Sequence, residues 1–346
     1  MTSLTSILAA TDFSVDGNNA VRRAALLAHE HGAHLRILHV LNAAGCKPLR
    51  DWFSPTLDLD LKASQARDAL RRLAVEVSGA YDLTASVEVI VGDPFETLMQ
   101  ASEHVDLVVL GQRGHGRFKG LLAGRTVDRM IRTCRRPVLV VKTAVQGTYR
   151  RVLVPIDFTA SSDAAIRVAD RMRRAEGMHV FHAINSKREA VMRGVPGHVI
   201  RETHLMEEGA TNARMRRQVA RLGLDSTPMN YALAYGSPAR ATLRHAHRLG
   251  ADLIVAGKQG RSTLGNFLLG SVSSRVLSEA TCDMLIAPRR RDSSPPQAAK
   301  TVAPRPNSEH YIDNAALAQS AAAHAGALTQ GHWIHNKARF VSRRSS

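Results

Sequence analysis

Two short segments carry the residue types that could do chemistry. Gly257-Lys258-Gln259-Gly260 is followed, after nine residues, by Gly270-Ser271, and Gly111-Gln112-Arg113-Gly114 is followed at the same spacing by Gly124. Glycine tolerates positive φ and lets a backbone approach a ligand closely, while the unpaired N–H groups opening a helix offer donors and partial positive charge. That combination suits phosphate. Ser271 adds a hydroxyl donor, and Arg261 stands where it could pair with a terminal phosphate or point into solvent. Shaping a tight turn is the plainer reading of one glycine cluster. Two clusters of equal spacing, each directly behind an apolar run and each opening toward a helix, favour a ligand.

A carboxylate stands at the carboxyl end of an apolar run upstream of each cluster: Asp12 in ILAATDFS and Asp157 in VLVPIDFT. It could accept hydrogen bonds from ribose hydroxyls or an adenine amino group, or it could cap the loop that follows.

The elements that must position these residues occur twice. ILAATDFS matches VLVPIDFT, VGDP (Val91 to Pro94) matches YGSP (Tyr235 to Pro238), and VDLVVLG (Val105 to Gly111) matches ADLIVAG (Ala251 to Gly257), at offsets of 145, 144 and 146 residues. Three matches in one order at near-constant offset indicate a duplication. The boundary falls in the polar stretch Thr143 to Thr148.

Within each copy, short β-branched runs alternate with longer amphipathic stretches, the pattern of βαβ units on a parallel sheet. The expected strands are 7–10, 35–40, 86–91, 107–110 and 138–141, then 152–155, 179–183, 231–234, 253–256 and 284–287. A helix over 19–30 would turn Ala20, Ala24, Leu27 and Ala28 to the sheet, with Arg22 and Arg23 opposite. Further helices are expected over 62–78 and 199–222, the latter with methionines as core filler.

The fold class that follows is α/β: two tandem doubly wound domains, each with five parallel strands in the order 3-2-1-4-5, related by a pseudo-twofold. Residues 1–144 form the first domain, 148–290 the second, and 291–346 a Ser-, Pro- and Ala-rich tail expected to be a mobile extension, with an alanine-rich helix over 314–328 as its one candidate element. In that order strands one and four are neighbours, and ligands of such sheets sit beyond the carboxyl ends of strands where the order reverses. Aspartate and glycine loop would then face one crevice. The last strand of each domain is an edge, and the two edges are expected to pair within the chain.

Composition narrows the function classes. The chain is 44% hydrophobic and 22% charged, ordinary for a folded protein. The net charge of +17 includes +6 from residues 289–346, and aromatics are 4%, so no stacking platform for single strands is expected and nucleic acid is disfavoured as a partner. Cys46, Cys134 and Cys282 lack zinc-ligand spacing and read as buried free thiols. No eighteen-residue apolar run and no leader-like N-terminus are present, giving an expectation of a cytoplasmic protein without membrane contact.

The paired openings, the strand-ending His39-Val40 and His182-Ala183, and the Gly-x-x-Gly-x9-Gly-Ser pattern resemble the universal stress protein family over roughly residues 3–290. The resemblance implies an ATP-binding stress-response or signalling protein. Carried over, Asp157 and the backbone at Ala183 would hold the adenosine part, and Gly257, Gly260, Gly270 and Ser271 the phosphates, with Arg261 beside them. In the first domain the corresponding residues are Asp12, Val40, Gly111, Gly114, Gly124 and Thr126. Arg125 stands where the family has serine or threonine, and it could bind phosphate or fill the pocket. His39 and His182 themselves read as satisfied strand-end histidines.

No Gly-Lys-Ser/Thr ending, magnesium carboxylate pair or water-activating base is evident, so binding without efficient turnover is expected, with no catalytic residues and magnesium entering only with the nucleotide. The alternative is a non-nucleotide-binding dimerisation or interaction scaffold of the same fold. An unidentified protein partner and a homodimer of whole chains both stay open.

Overall fold

Each apolar run closes into a strand of one sheet, and each amphipathic stretch covers it. The computed structural model describes residues 4–42, 55–112, 124–172, 177–184, 197–224, 228–259, 269–288 and 310–311, with backbone alone at 55–58, 197–198 and 310–311. The first repeat runs β1 (Ser6–Ala10), α1 (Val15–His31), β2 (His34–Leu41), α2 (Pro55–Ala80), β3 (Ala85–Val91), α3 (Pro94–Ala101), β4 (Leu107–Gly111), α4 (Arg125–Thr133) and β5 (Val138–Val141). The second runs β6 (Val152–Pro155), α5 (Ala160–Met172), β7 (Met178–Ile184), α6 (Gly197–Arg221), β8 (Met229–Tyr235), α7 (Pro238–Leu249), β9 (Leu253–Gly257), α8 (Ser271–Glu279) and β10 (Asp283–Ala287). Every expected strand is present, most of them longer by a residue or two.

Helix ends follow local chemistry. Ser14 caps α1 by accepting from the Gly17 N–H, and Gly32 ends it in the left-handed conformation at φ 63°. Asp93 caps α3 in front of Pro94, and Gly250 at φ 60° ends α7.

The strand order is β3-β2-β1-β4-β5-β10-β9-β6-β7-β8, with a two-residue strand β11 (His310–Tyr311) added antiparallel along β3. Each repeat is parallel within itself in the order 3-2-1-4-5. The repeats meet where β5 and β10 pair antiparallel, with Met284 opposite Val140 and Ile286 opposite Val138. The two edges expected to pair inside the chain therefore do so. Of the tail, only β11 belongs to the described residues; the alanine-rich stretch 314–328 lies outside them.

Strand residues alternate between two layers: Ile7, Ala9, Val152 and Val154 pack with α1, α2, α5 and α6, while Leu8, Leu153 and Ile254 pack with α3, α4, α7 and α8. A strand covered on both sides needs apolar residues at successive positions, which explains runs such as LVVL.

Two side-chain expectations are corrected. Arg22 faces outward and pairs with Glu76, but Arg23 is 4% exposed, because α1 lies across the junction between the repeats. On α6, Met215 is buried as expected, whereas Met206 is 76% exposed and is not core filler.

Arg23 belongs to a buried cluster at that junction. Its Nη1 donates to the Gly147 carbonyl at 2.6 Å, its Nε lies 3.5 Å from the Asp283 carboxylate, and its guanidinium covers the Tyr149 ring at 4.2 Å. Asp283 is fully buried and accepts from the Lys142 and Thr143 N–H groups and the Thr143 and Tyr149 hydroxyls. Burial, then the Asp283 charge, raises the Tyr149 phenol well above its ordinary range, so it remains a donor.

Two lysines reach across the same junction. Lys142 Nζ donates to the Leu277 and Ala280 carbonyls at the end of α8, and Lys258 Nζ to the Cys134 carbonyl at the end of α4. Each places a cation at the negative end of the other repeat's helix. Burial pulls the Lys258 ammonium below its usual range. Cys134 is buried and Cys282 partly so; Cys46 lies outside the described residues.

Candidate functional site

In the second repeat the crevice forms where the strand order reverses. β6 pairs parallel with β9 on one side and with β7 on the other, so their carboxyl ends open at one edge of the sheet. Asp157 lies two residues beyond β6. Its Oδ1 accepts from the Thr159 N–H at 3.2 Å, the Thr159 hydroxyl at 2.6 Å and the Ser162 hydroxyl at 2.7 Å; Oδ2 takes no hydrogen bond among the described residues. One oxygen thus fixes the loop, as the capping reading expects, and the other stays available to a ligand.

Phe158, the next residue, has φ 65°, and Phe13 of the first repeat has φ 64°. A bulky side chain in the left-handed region costs about 1–2 kcal/mol, so both loops hold the same strained turn. His182 Nδ1 lies 2.8 Å from the Ile156 carbonyl, and the ring packs 4.6 Å from Phe158. A carbonyl can only accept, so Nδ1 carries the hydrogen. His39 does the same to the Thr11 carbonyl at 2.8 Å. Both histidines are satisfied strand-end groups. Ala183 follows His182 in β7 at 9% exposure, and Val40 follows His39 in β2, half-buried.

The glycine segment comes to the same crevice. A Cβ on Gly257 would lie 2.6 Å from the Ser161 carbonyl oxygen and 2.7 Å from the Ser161 Cβ, so the end of β9 touches the start of α5 in a way only glycine permits. Gly270 N–H donates to the Lys258 carbonyl at 2.9 Å, which brings the two ends of the segment together. The Ser273 hydroxyl donates to the Gly257 carbonyl at 2.8 Å and locks the first turn of α8 onto the strand end. Gly270 is the N-cap of α8 and supplies no side-chain cap. The first intrahelical bond at this end runs from Ser274 N–H to the Gly270 carbonyl, leaving the amides of Ser271, Val272 and Ser273 ahead of it. Ser271 is exposed at that terminus. Gly260 and Arg261 lie outside the described residues.

The first repeat builds a parallel arrangement. Asp12 Oδ1 accepts from the Ser14 hydroxyl at 2.5 Å and N–H at 3.1 Å, and a Cβ on Gly111 would meet the Asp16 carbonyl at 2.5 Å. Gly124 N–H donates to the Gln112 carbonyl at 3.0 Å and caps α4, whose first residues are exposed Arg125 and half-buried Thr126. Gly114 lies outside the described residues. Because β5 and β10 run antiparallel, the two crevices open at opposite edges of the sheet.

Neither the strained phenylalanine turns nor the Ser162 hydroxyl that orients Asp157 figured among the expected site residues. The repeated Asp-Phe of the two openings was the signal that could have found the first. Among the described residues no group of three or more His, Cys, Asp or Glu side chains could hold a metal, and no helix is long and apolar enough to cross a membrane.

Comparison with known proteins agrees with this architecture. The family model described as the universal stress protein family matches residues 4–142 and 148–288. A universal stress protein of Mycolicibacterium smegmatis is 27% identical over 294 residues, covering 82% of this chain and 97% of the relative. Among solved structures, a universal stress protein from Archaeoglobus fulgidus aligns with TM-score 0.60 at 21% identity, over 82% of this chain and 98% of that one. A second, titled a putative universal stress protein from Pseudomonas aeruginosa, aligns with TM-score 0.51 at 19% identity over 82% and 93%.

Proposed function

Because the chain belongs to the universal stress protein family, we propose that this stress-response protein binds an adenine nucleotide in its second repeat and uses occupancy to bias conformation or partner choice. The observation that carries the reading is the meeting of two strand ends: the Asp157 loop beyond β6 and the Gly257 and Gly270-Ser271 ends beyond β9, in contact through Ser161.

The donor set fits an adenylate. Asp157 Oδ2 is an acceptor for ribose hydroxyls or an adenine amino group, and the backbone at Ala183 would border the base. The amides of Ser271, Val272 and Ser273 and the Ser271 hydroxyl would hold phosphate oxygens at the positive end of α8, with Gly257, Gly260 and Gly270 letting the backbone approach and Arg261 near the terminal phosphate. ATP is the nucleotide proposed, with Mg2+ carried on its phosphates rather than by a protein cluster. Among the described residues the crevice offers grip and no evident water-activating base, so turnover would be slow and incidental. In the first repeat Asp12, Val40, Gly111, Gly114, Gly124 and Thr126 would form a weaker second site, with Arg125 standing at the helix terminus where the second repeat has Ser271. The protein would act in the cytoplasm, and any homodimer of whole chains would use a surface other than β5 and β10, which are both consumed.

The test is equilibrium ATP binding by the full chain against the Gly270→Val/Ser271→Ala variant. Binding lost in the variant supports the site. Absence of binding by the unaltered protein would favour an interaction scaffold of the same fold.

A further inference from the structure

Beside α6 lies a concave site that the adenylate reading leaves unused. A cavity of about 290 Å³ is lined by Phe158, Arg214, Arg217, Gln218 and Arg221. Arg214 packs over the Phe158 ring at 4.0 Å. Arg221 reaches the Asp163 carboxylate at 3.1 Å, and Gln218 Nε2 donates to the same carboxylate at 2.5 Å. Arg217 pairs with no carboxylate among the described residues. Of the three guanidiniums only Arg221 meets a carboxylate among the described residues, so Arg214 and Arg217 leave two positive charges on the cavity wall uncompensated.

Gln218 marks this as more than a solvated face. It is 5% exposed, yet its Oε1 accepts from no donor among the described residues. The first repeat supplies an internal control at the 145-residue offset that relates Ile7 to Val152. Buried Leu70 and Ala74 of α2 correspond to buried Met215 and Val219 of α6, so Gln218 corresponds to Leu73, which is 6% exposed. The fold is content with leucine there. A buried amide with an unmet acceptor costs about 1–3 kcal/mol relative to an apolar residue, and the second repeat bears that cost. Around it, Arg214 and Arg221 stand where the first repeat has Ala69 and Glu76, and Asp163 where it has Asn18. Two arginines and a glutamine thus stand where the first repeat has alanine, glutamate and leucine, while Arg217 is matched by Arg72 and Asp163 adds a carboxylate.

We infer that this cavity binds a small phosphate monoester that also carries hydroxyl groups. Planar guanidiniums match phosphate oxygens in paired hydrogen bonds, two net charges suit a phosphate monoester dianion, and a hydroxyl donor is what Gln218 Oε1 lacks. The volume suits a sugar phosphate and lies at the low end for small-molecule pockets. Phe158 directly follows Asp157, so the cavity and the crevice share a loop without sharing their polar groups.

Calorimetric titration of the full-length protein with ribose 5-phosphate, inorganic phosphate and ribose at low salt tests the assignment. Ribose 5-phosphate should bind more tightly than either fragment, and Arg217→Ala and Gln218→Leu should each weaken it about tenfold or more. Gln218→Leu copies the sister repeat and is expected to fold. Binding should persist in Gly270→Val/Ser271→Ala, which separates this site from the proposed adenylate crevice. The assignment is overturned if the unaltered protein does not bind, if both cavity variants bind as well as it does, if inorganic phosphate binds as tightly as the ester, or if binding vanishes in the glycine-loop variant.

Discussion

Asp283→Asn removes a single buried charge and almost no volume, which makes it the sharpest probe of how the two repeats are joined. The amide Oδ1 can still accept from Lys142, Thr143 and the Thr143 hydroxyl, but the amide nitrogen replaces Oδ2, which accepts from the Tyr149 hydroxyl and lies 3.5 Å from Arg23 Nε; the largest loss falls on Arg23, with side-chain exposures of 5% and 0%. At that separation and an effective dielectric near 20, Coulomb attraction is about 5 kcal/mol. Removing one partner of a buried pair typically costs about 3–5 kcal/mol, because the other charge is left stranded. With about 2–4 °C lost per kcal/mol in a protein of this size class, thermal unfolding followed by circular dichroism should fall by on the order of 10 °C. Adding Arg23→Met should recover a substantial part of the loss, since the stranded guanidinium is then gone. A single variant within about 1 kcal/mol of the unaltered protein, or a double variant in which the two effects simply add, would refute the reasoning.

Other outcomes follow from the same geometry. Gly257→Ala sets a methyl group 2.6 Å from the backbone carbonyl of Ser161 and should cost about 1–3 kcal/mol by urea denaturation. Gly209→Ala, in α6 with nothing within 4 Å of the new Cβ, should gain roughly 0.5–1 kcal/mol in the same assay. Burial pushes the Cys282 thiol up to about 11 from the ordinary 9.0. At pH 9 alkylation of Cys282, read by peptide mass spectrometry, should lag behind that of the denatured chain and catch up only through pH 11. The folded state then holds a proton that the unfolded state has lost, so stability should fall as pH rises across that interval.

Much of the architecture was legible because burial on both sides of a parallel sheet forces continuous apolar runs, and LVVL, VLVV and LIVA have no other comfortable place. The offset between repeats carried the duplication, and the pairing of β5 with β10 followed from each repeat ending on an edge. The juxtaposition of Asp157 with Gly257 was readable as topology: two strand ends made neighbours by the order 3-2-1-4-5. What stayed hidden depended on the three-dimensional junction. Arg23 looks like a solvent-facing partner of Arg22 on a helical wheel, and only the approach of Thr143, Tyr149 and Asp283 from far along the chain turns it inward. Gln218 sits in an α6 register that reads as surface by polarity, and the fit of that helix against Asp163 places it in the core. Met206 is the converse, an apolar residue that the same register leaves in water.

The seam between β5 and β10 joins two surfaces that are not copies of one another. A self-associating single-domain protein must present one strand to its own image, so every residue at such a contact appears twice and any buried charge confronts its duplicate. Here the position of Asp283 is occupied in the first repeat by Pro137, and that of Arg23, its cationic partner, in the second repeat by Val168. One acid therefore meets one base, with no second acid to repel it. The tether of Thr143 to Thr148 also makes the encounter unimolecular, with an effective concentration in the millimolar range for a short linker, so the arrangement persists at dilutions that would take apart a comparable pair of free subunits.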